Sequence, residues 1–253
     1  MKRIVFLFLT LLLTFSLSAC GNRNENAESP SSALSEESTQ ISTPAEPSAS
    51  ASASSGESTA SQPTEESTSN ILIAYFSRVG NTDFEDGVDA ITSASLNLEG
   101  DTLVGNAEVL ARMAQEETGG DLFLIETVEK YPSDYDETTD VAAEEQDADA
   151  RPELASHVEN MDQYDTVILI YPNWWGTLPQ PLFTFLEEYD FSGKTILPLC
   201  THAGSRMGRS EQDIADLCPE ANLMEGLAVS GSSVNEAGVD VAEWITNSGI
   251  LEE

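Results

Sequence analysis

Three short segments hold the residue types that could do chemistry. The first, Ser77-Arg78-Val79-Gly80-Asn81-Thr82, offers two hydroxyls and a carboxamide around a glycine. Hydroxyls and a nest of backbone N–H groups can hold a phosphate without a lysine. The spacing and the missing lysine exclude a Walker A loop, and the absence of G-x-G-x-x-G counts against a dinucleotide. A plain strand-to-turn would have a similar composition. The second segment is Tyr171-Pro172-Asn173-Trp174-Trp175-Gly176-Thr177-Leu178-Pro179. Two adjacent indoles bounded by Gly and Pro cannot both be buried, and an exposed aromatic of that size is costly unless something flat lies on it. The third, Thr201-His202-Ala203-Gly204-Ser205-Arg206-Met207-Gly208, is rich in small residues and donors and suits a close backbone approach. Taken singly, the indole pair could cap the end of a sheet, and the glycine loop could be only a connection. Together they describe a phosphate at one end of a site and a flat heterocycle at the other.

These segments need a frame that brings them together. Ile71-Leu72-Ile73-Ala74-Tyr75-Phe76 is a continuous apolar run, as expected of a strand buried on both faces. Further strands are expected at 122–125, 166–171, 194–200 and 223–229. Helices are expected at 108–117, 138–150, 181–189, 209–218 and 236–246. Alternation of this kind predicts a doubly wound α/β domain with a five-stranded parallel sheet and helices on both faces. Ligands of such sheets sit beyond the carboxyl ends of the strands. That rule selects the loops after Phe76, Tyr171 and Cys200, which are the three segments above.

With the loops in this order, the chain from Asn70 to about Ser248 resembles the flavodoxin-like family. Tyr75 to Thr82 is similar to its phosphate loop. Tyr171 to Pro179 and Thr201 to Ser205 are similar to the isoalloxazine loops of a bacterial subfamily with a Tyr-Pro-x-Trp-Trp-Gly signature. The resemblance implies strand order 2-1-3-4-5 and non-covalent FMN. Ser77, Asn81 and Thr82, with backbone N–H groups from Arg78 through Val79 and Gly80 to Thr82, would hold the phosphate. Trp174 or Trp175 would stack on the flavin. Pro172, Thr201 and Ser205 would belong to the loops that enclose it. Backbone groups of Asn173, Gly176, Thr177, His202 and Gly204 would reach the ring edge. No catalytic residue and no metal ligand is assigned.

The rest of the chain bounds where such a domain works. Met1-Lys2-Arg3, an apolar run from Ile4 to Leu17 and then Leu17-Ser18-Ala19-Cys20 make a signal peptide for residues 1–19. The run is too short for a confident membrane span. Its end resembles a lipobox, which implies diacylglycerol on Cys20. Gly21 to Ser69 has almost no large apolar residue, so it cannot offset its chain entropy and should be a disordered tether. About 50 such residues span roughly 40 Å r.m.s.. The expected location is therefore extracytoplasmic, with the lipid anchor as the only membrane contact. The chain carries 45 acidic and 10 basic residues, a net charge of −35, which repels nucleic acid and anionic lipid. Cys200 and Cys218 fit no C-x-x-C spacing and read as ordinary buried thiols, with a disulfide between them as the alternative.

Departures from the family pattern bear on function. Asp83 to Gly105 stands where a helix should follow the phosphate loop at once. This insertion would place Asp83, Glu85 and Asp86 near a phosphate and would move the next helix, starting near Asn106, away from it. Within it, Asp89 to Ser95 resembles imperfectly the motif that carries covalent flavin on a threonine, with Ser95 in place of the acceptor. Three functions remain open. They are an electron carrier serving a redox partner protein, an FMN-dependent reductase of quinones or a similar small-molecule acceptor, and a binding domain without cofactor.

Overall fold

The computed structural model describes residues 69–84 and 95–251. The expected signal peptide, Cys20, the expected tether up to residue 68, Glu85, Asp86 and residues 89–94 of the fragment likened to a covalent-flavin motif lie outside the described residues.

Strand β1 (Ile71–Tyr75) is followed by a single turn, α1 (Arg78–Asn81), and a hairpin of β2 (Leu96–Glu99) and β3 (Thr102–Gly105). Then come α2 (Asn106–Thr118), β4 (Asp121–Leu124), α3 (Tyr135–Asp147), β5 (Thr166–Pro172) and α4 (Gln180–Glu188). The chain continues through β6 (Thr195–His202), α5 (Ser210–Leu217), β7 (Asn222–Leu223), β8 (Leu227–Ser230) and α6 (Gly238–Ser248). The main sheet runs β4-β1-β5-β6-β7, with β8 also pairing to β6, and every pairing in it is parallel. This is the order 2-1-3-4-5 read from the sequence, with the fifth position shared by β7 and β8.

Side chains alternate between two cores, as the period of a strand requires. Ile71, Ile73, Ile168, Ile170, Leu197 and Leu199 pack with Leu110 and Ala114 of α2 and Val241 and Ile245 of α6. Leu72, Ala74, Val167, Leu169, Tyr171 and Ile196 pack on the opposite face with Leu182 and Phe185 of α4 and Ile214 of α5. Burial on both faces explains the unbroken apolar runs of β1 and β5.

The fifth strand differs from the expected single run over 223–229. β7 pairs only with Thr195 and Ile196, β8 pairs with Leu199 to His202, and the chain departs from β6 between them. Pro198 is the cause. Ile196 O accepts from Met224 N–H, so the side of β6 that Ile196 presents to its neighbour is also the side of Pro198, two residues on. Pro198 has no N–H for that ladder. The carbonyl that a residue-198 N–H would have met is left without that bond, and past this point Gly226 N–H donates to Glu211 Oε1 at 2.9 Å.

The insertion also differs from expectation. Its described part is an antiparallel hairpin turning at Gly100-Asp101, with Leu98 opposite Leu103 and Leu96 opposite Gly105. Arg112 of α2 grips Glu99 of the hairpin at 2.7 and 3.1 Å. The hairpin carries the chain out and back, so α2 begins against the first loop. A Cβ on Gly105, the residue before α2, would lie 1.8 Å from Ser77 Oγ. The expected displacement of this helix from the loop does not occur.

Candidate functional site

The first loop is built on a helix-type cap. Ser77 is extended (φ −141°) and its Oγ accepts from Val79 N–H at 3.1 Å. Val79 leaves helical geometry and Gly80 has φ +96°, which only glycine adopts freely. Asn81, given above as a phosphate donor, is fully buried and its side chain is engaged throughout. Nδ2 donates to Ser77 O and Ile125 O, both at 2.9 Å. Oδ1 accepts from Thr127 N–H and Thr127 Oγ1 at 2.7 and 3.0 Å. Asn81 therefore clamps the loop to the end of β4, and its side chain has nothing left for a ligand. Thr82 Oγ1 is the opposite case: it is buried and has no hydrogen-bond partner.

The second loop is a two-residue hairpin turn. Trp174 N–H and Thr177 N–H bond each other's carbonyls at 3.0 and 3.1 Å. Trp175 (φ 51°) and Gly176 (φ 85°) are both left-handed, as a primed turn requires. For a tryptophan that conformation costs on the order of 1–3 kcal/mol. It is held by Trp175 Nε1 donating to Thr139 O of α3 at 2.9 Å, while the indole stays 59% exposed. Trp174 is half-buried. It meets the rings of Phe76 and Tyr131 edge-on, with centroids at 5.4 and 5.2 Å, and its Nε1 donates to Ser95 Oγ at 3.0 Å.

The third loop is fastened to the second. Asn173 Nδ2 donates to Arg206 O at 2.9 Å, Asn173 Oδ1 accepts from Gly176 N–H at 3.0 Å, and Arg209 N–H bonds Gly176 O at 2.9 Å. Thr177 Oγ1 donates to Asp213. His202, at the end of β6, accepts from Gly204 N–H on Nδ1 at 2.9 Å. Burial, and then the charge of Arg206, hold its pKa below the ordinary value. The ring is therefore neutral at pH 7, with its proton on Nε2.

These bonds revise the ring-edge donors implied above. Asn173 N–H is taken by Thr201 O, Gly176 N–H by Asn173 Oδ1, Thr177 N–H by Trp174 O and Gly204 N–H by His202. They stiffen the loops and are not free to meet a ligand. Pro172 and Thr201 are buried strand-end residues paired with each other across β5 and β6. Ser205 is exposed.

All three loops nevertheless line one cavity of about 350 Å3. Arg78 comes from the first, Asn173, Trp174 and Trp175 from the second, and Ala203 from the third. Ser95 and a wall of α3, formed by Tyr135, Thr138, Thr139 and Ala142, complete it. The sequence pointed to Ser95 only as the residue in place of a covalent-flavin acceptor, and did not point to this wall. Only the Asp134 cap, accepting from Glu137 N–H at 3.0 Å, would have signalled where the helix that carries it begins. Tyr131 was missed as well. Its N–H bonds Asn81 O and its hydroxyl donates to Glu145 Oε2 at 2.9 Å. Burial raises the pKa of both Tyr131 and Glu145. Cys200 and Cys218 are buried free thiols.

Comparison with known proteins agrees with this geometry. Residues 100–248 match a family model described as Flavodoxin, a span that begins after the first loop. A provisionally assigned flavoprotein from Bacteroides uniformis is 25% identical, with 70% of this chain and 97% of that chain covered and a TM-score of 0.52. A similar assignment from Bacteroides eggerthii is 26% identical, covering 68% and 97%, at a TM-score of 0.49. A flavoprotein from Lactobacillus acidophilus, solved in complex with FMN, is 19% identical, covering 66% and 96%, at 0.45. No curated protein matches the sequence.

Proposed function

The chain belongs to the flavodoxin family, and on that premise we propose that it binds FMN non-covalently and carries electrons at the outer face of a bacterial membrane. The observation that carries the first half is the convergence of all three loops, with both tryptophans, on one cavity.

The residues present fit the cofactor. Thr82 Oγ1 is a buried hydroxyl awaiting a partner. Gly105 lets the start of α2 approach Ser77 more closely than any side chain would allow, so the positive end of that helix faces the loop. Ser77, Thr82 and the amides of their turn would hold the phosphate. Trp174 and Trp175 would flank the ring system. FMN supplies the electron chemistry when bound, and the protein supplies position and electrostatics. The chain's own residues fix the site: the second and third loops, bonded to each other, set the width of the cavity, and α3 forms its side. The surplus of carboxylates disfavours added negative charge on the ligand.

Attachment to the membrane rests on Met1 to Cys20, with dual acyl chains giving stable anchoring. A second reading, reduction of quinones or similar small acceptors, is favoured by the wall of α3. Tyr135, Thr138 and Thr139 line the same cavity; the two threonine hydroxyls donate to backbone carbonyls, which leaves the half-exposed Tyr135 as the group that would suit a small polar aromatic beside the flavin.

The deciding experiment is a visible absorption spectrum of the full chain, incubated with FMN and desalted. Retained flavin bands that vanish on denaturation support the reading. A colourless protein overturns it and leaves a binding domain without cofactor. Turnover with a nicotinamide reductant and a quinone would then favour the reductase over the carrier.

A further inference from the structure

Arg78 is 3% exposed, among the most buried charges of the described residues. Its Nη2 donates to Pro132 O and Ser133 O at 2.8 and 3.1 Å, and the guanidinium lies 5.1 Å from the centre of the Phe84 ring. Its Nε is buried and has no hydrogen-bond partner. Every other arginine among the described residues except Arg206 makes an ion pair with a carboxylate, and Arg78 makes none among those residues. In a chain with 45 acidic residues, the missing partner is not for want of carboxylates.

A buried cation with two neutral acceptors and an orphaned donor is expensive unless an anion completes it. Arginine cannot escape by losing its proton. The position fits a ligand anion. Arg78 directly follows the capping residue Ser77, shares its short loop with the equally unpartnered Thr82 Oγ1, and lines the cavity. Carbonyl partners hold one nitrogen in place, and the Asp134 carboxylate acts on the charge without forming an ion pair with it, so Nε–H still lacks an acceptor.

We propose that Arg78 is the residue that selects a flavin bearing a terminal phosphate monoester over the uncharged flavin, by supplying the countercharge and the Nε–H donor to that phosphate. The proposal rests on the FMN reading and deepens it. Charge-assisted hydrogen bonds are about twice as strong as neutral ones. Removing one should cost the phosphorylated ligand about tenfold to a hundredfold in affinity and leave the uncharged ligand nearly untouched.

The test measures Kd for FMN and for riboflavin on the full chain and on Arg78→Gln and Arg78→Lys, by quenching of flavin fluorescence. Arg78→Gln should lose FMN affinity by about tenfold or more with riboflavin unchanged, and Arg78→Lys should fall between. In case Arg78→Gln does not fold, the unmutated protein gives an independent readout: the Arg78 Nε–H resonance should shift on adding FMN and stay in place on adding riboflavin. Equal losses for both flavins, an unchanged FMN affinity in a folded variant, or an Nε–H resonance indifferent to FMN would overturn the proposal and leave the FMN reading intact. An unmutated chain that retains neither flavin would overturn that reading, and this one with it.

Discussion

At the scale of single residues, the site shows how poorly residue type reports direction. Asn81 and Thr82 are adjacent polar residues in one loop, and the sequence assigns both to a phosphate. In the fold their roles separate. Asn81 uses Nδ2 and Oδ1 to tie Ser77, Ile125 and Thr127 together, while Thr82 keeps a buried hydroxyl free. Asn81→Ala would take their side-chain partner from two carbonyls and from the Thr127 N–H in a buried site, while Thr127 Oγ1 keeps its bond to Glu129 O. Removing one side of a buried polar network costs more than its mean hydrogen bonds suggest. The expected loss is about 3 kcal/mol of stability, read as a lower midpoint in urea with an unchanged slope. An unchanged midpoint would mean that solvent replaces the clamp and that Asn81 is free for a ligand after all.

At the scale of elements, what the sequence made legible was whatever repeats. Apolar runs of four to six residues alternating with amphipathic segments give the sheet order, because a parallel sheet buried on both faces leaves that pattern and few others. What it hid were local exceptions. One proline, Pro198, interrupts the fifth strand from the neighbouring strand, which no reading of residues 223–229 alone could reveal. The β2–β3 hairpin is four residues to a side in an acidic stretch, with only Leu96, Leu98, Leu103 and Val104 to mark it, so it read only as an insertion without strands. The wall of α3 is invisible because its place depends on Trp175 and Tyr131, distant in sequence.

That wall also contains a titrating group. Burial raises the Glu145 carboxyl above its ordinary 4.5, opposed only by the bond from Tyr131. A carboxyl with a raised folded pKa binds its proton more tightly in the native state than in the unfolded chain. Its charge therefore destabilises the fold as pH rises from the ordinary glutamate value through the raised one, and stability returns as pH falls back through that window. Glu145→Gln keeps an acceptor for Tyr131 and removes the charge. It should gain on the unmutated protein as pH rises from 4.5 through the raised value in chemical denaturation. A constant difference between the two proteins across that range would show that α3 opens enough to hydrate the carboxylate.

At the scale of the whole molecule, charge and composition divide the labour between the two parts of the chain. The chain's net charge of −35, most of it carried by the folded part, repels an anionic bilayer. None of the described helices is long and apolar enough to cross a membrane. The proposed residence at the membrane would then rest on Cys20, with the Ser-, Thr- and Glu-rich stretch up to Ser69 giving the proposed flavin site a reach of roughly 40 Å. In such an arrangement attachment is all-or-none. A weak second contact of the folded part with an anionic bilayer would be opposed by repulsion. Expressed as the full chain in a bacterial host, the unmutated protein should sediment with membranes and enter the detergent phase on extraction. Cys20→Ser should be recovered in the soluble and aqueous fractions almost completely, with flavin binding unchanged. Persistent sedimentation of Cys20→Ser in high salt would point to an uncleaved leader or a protein partner as the true anchor. Loss of flavin from the released protein would mean that the tether does more than provide reach.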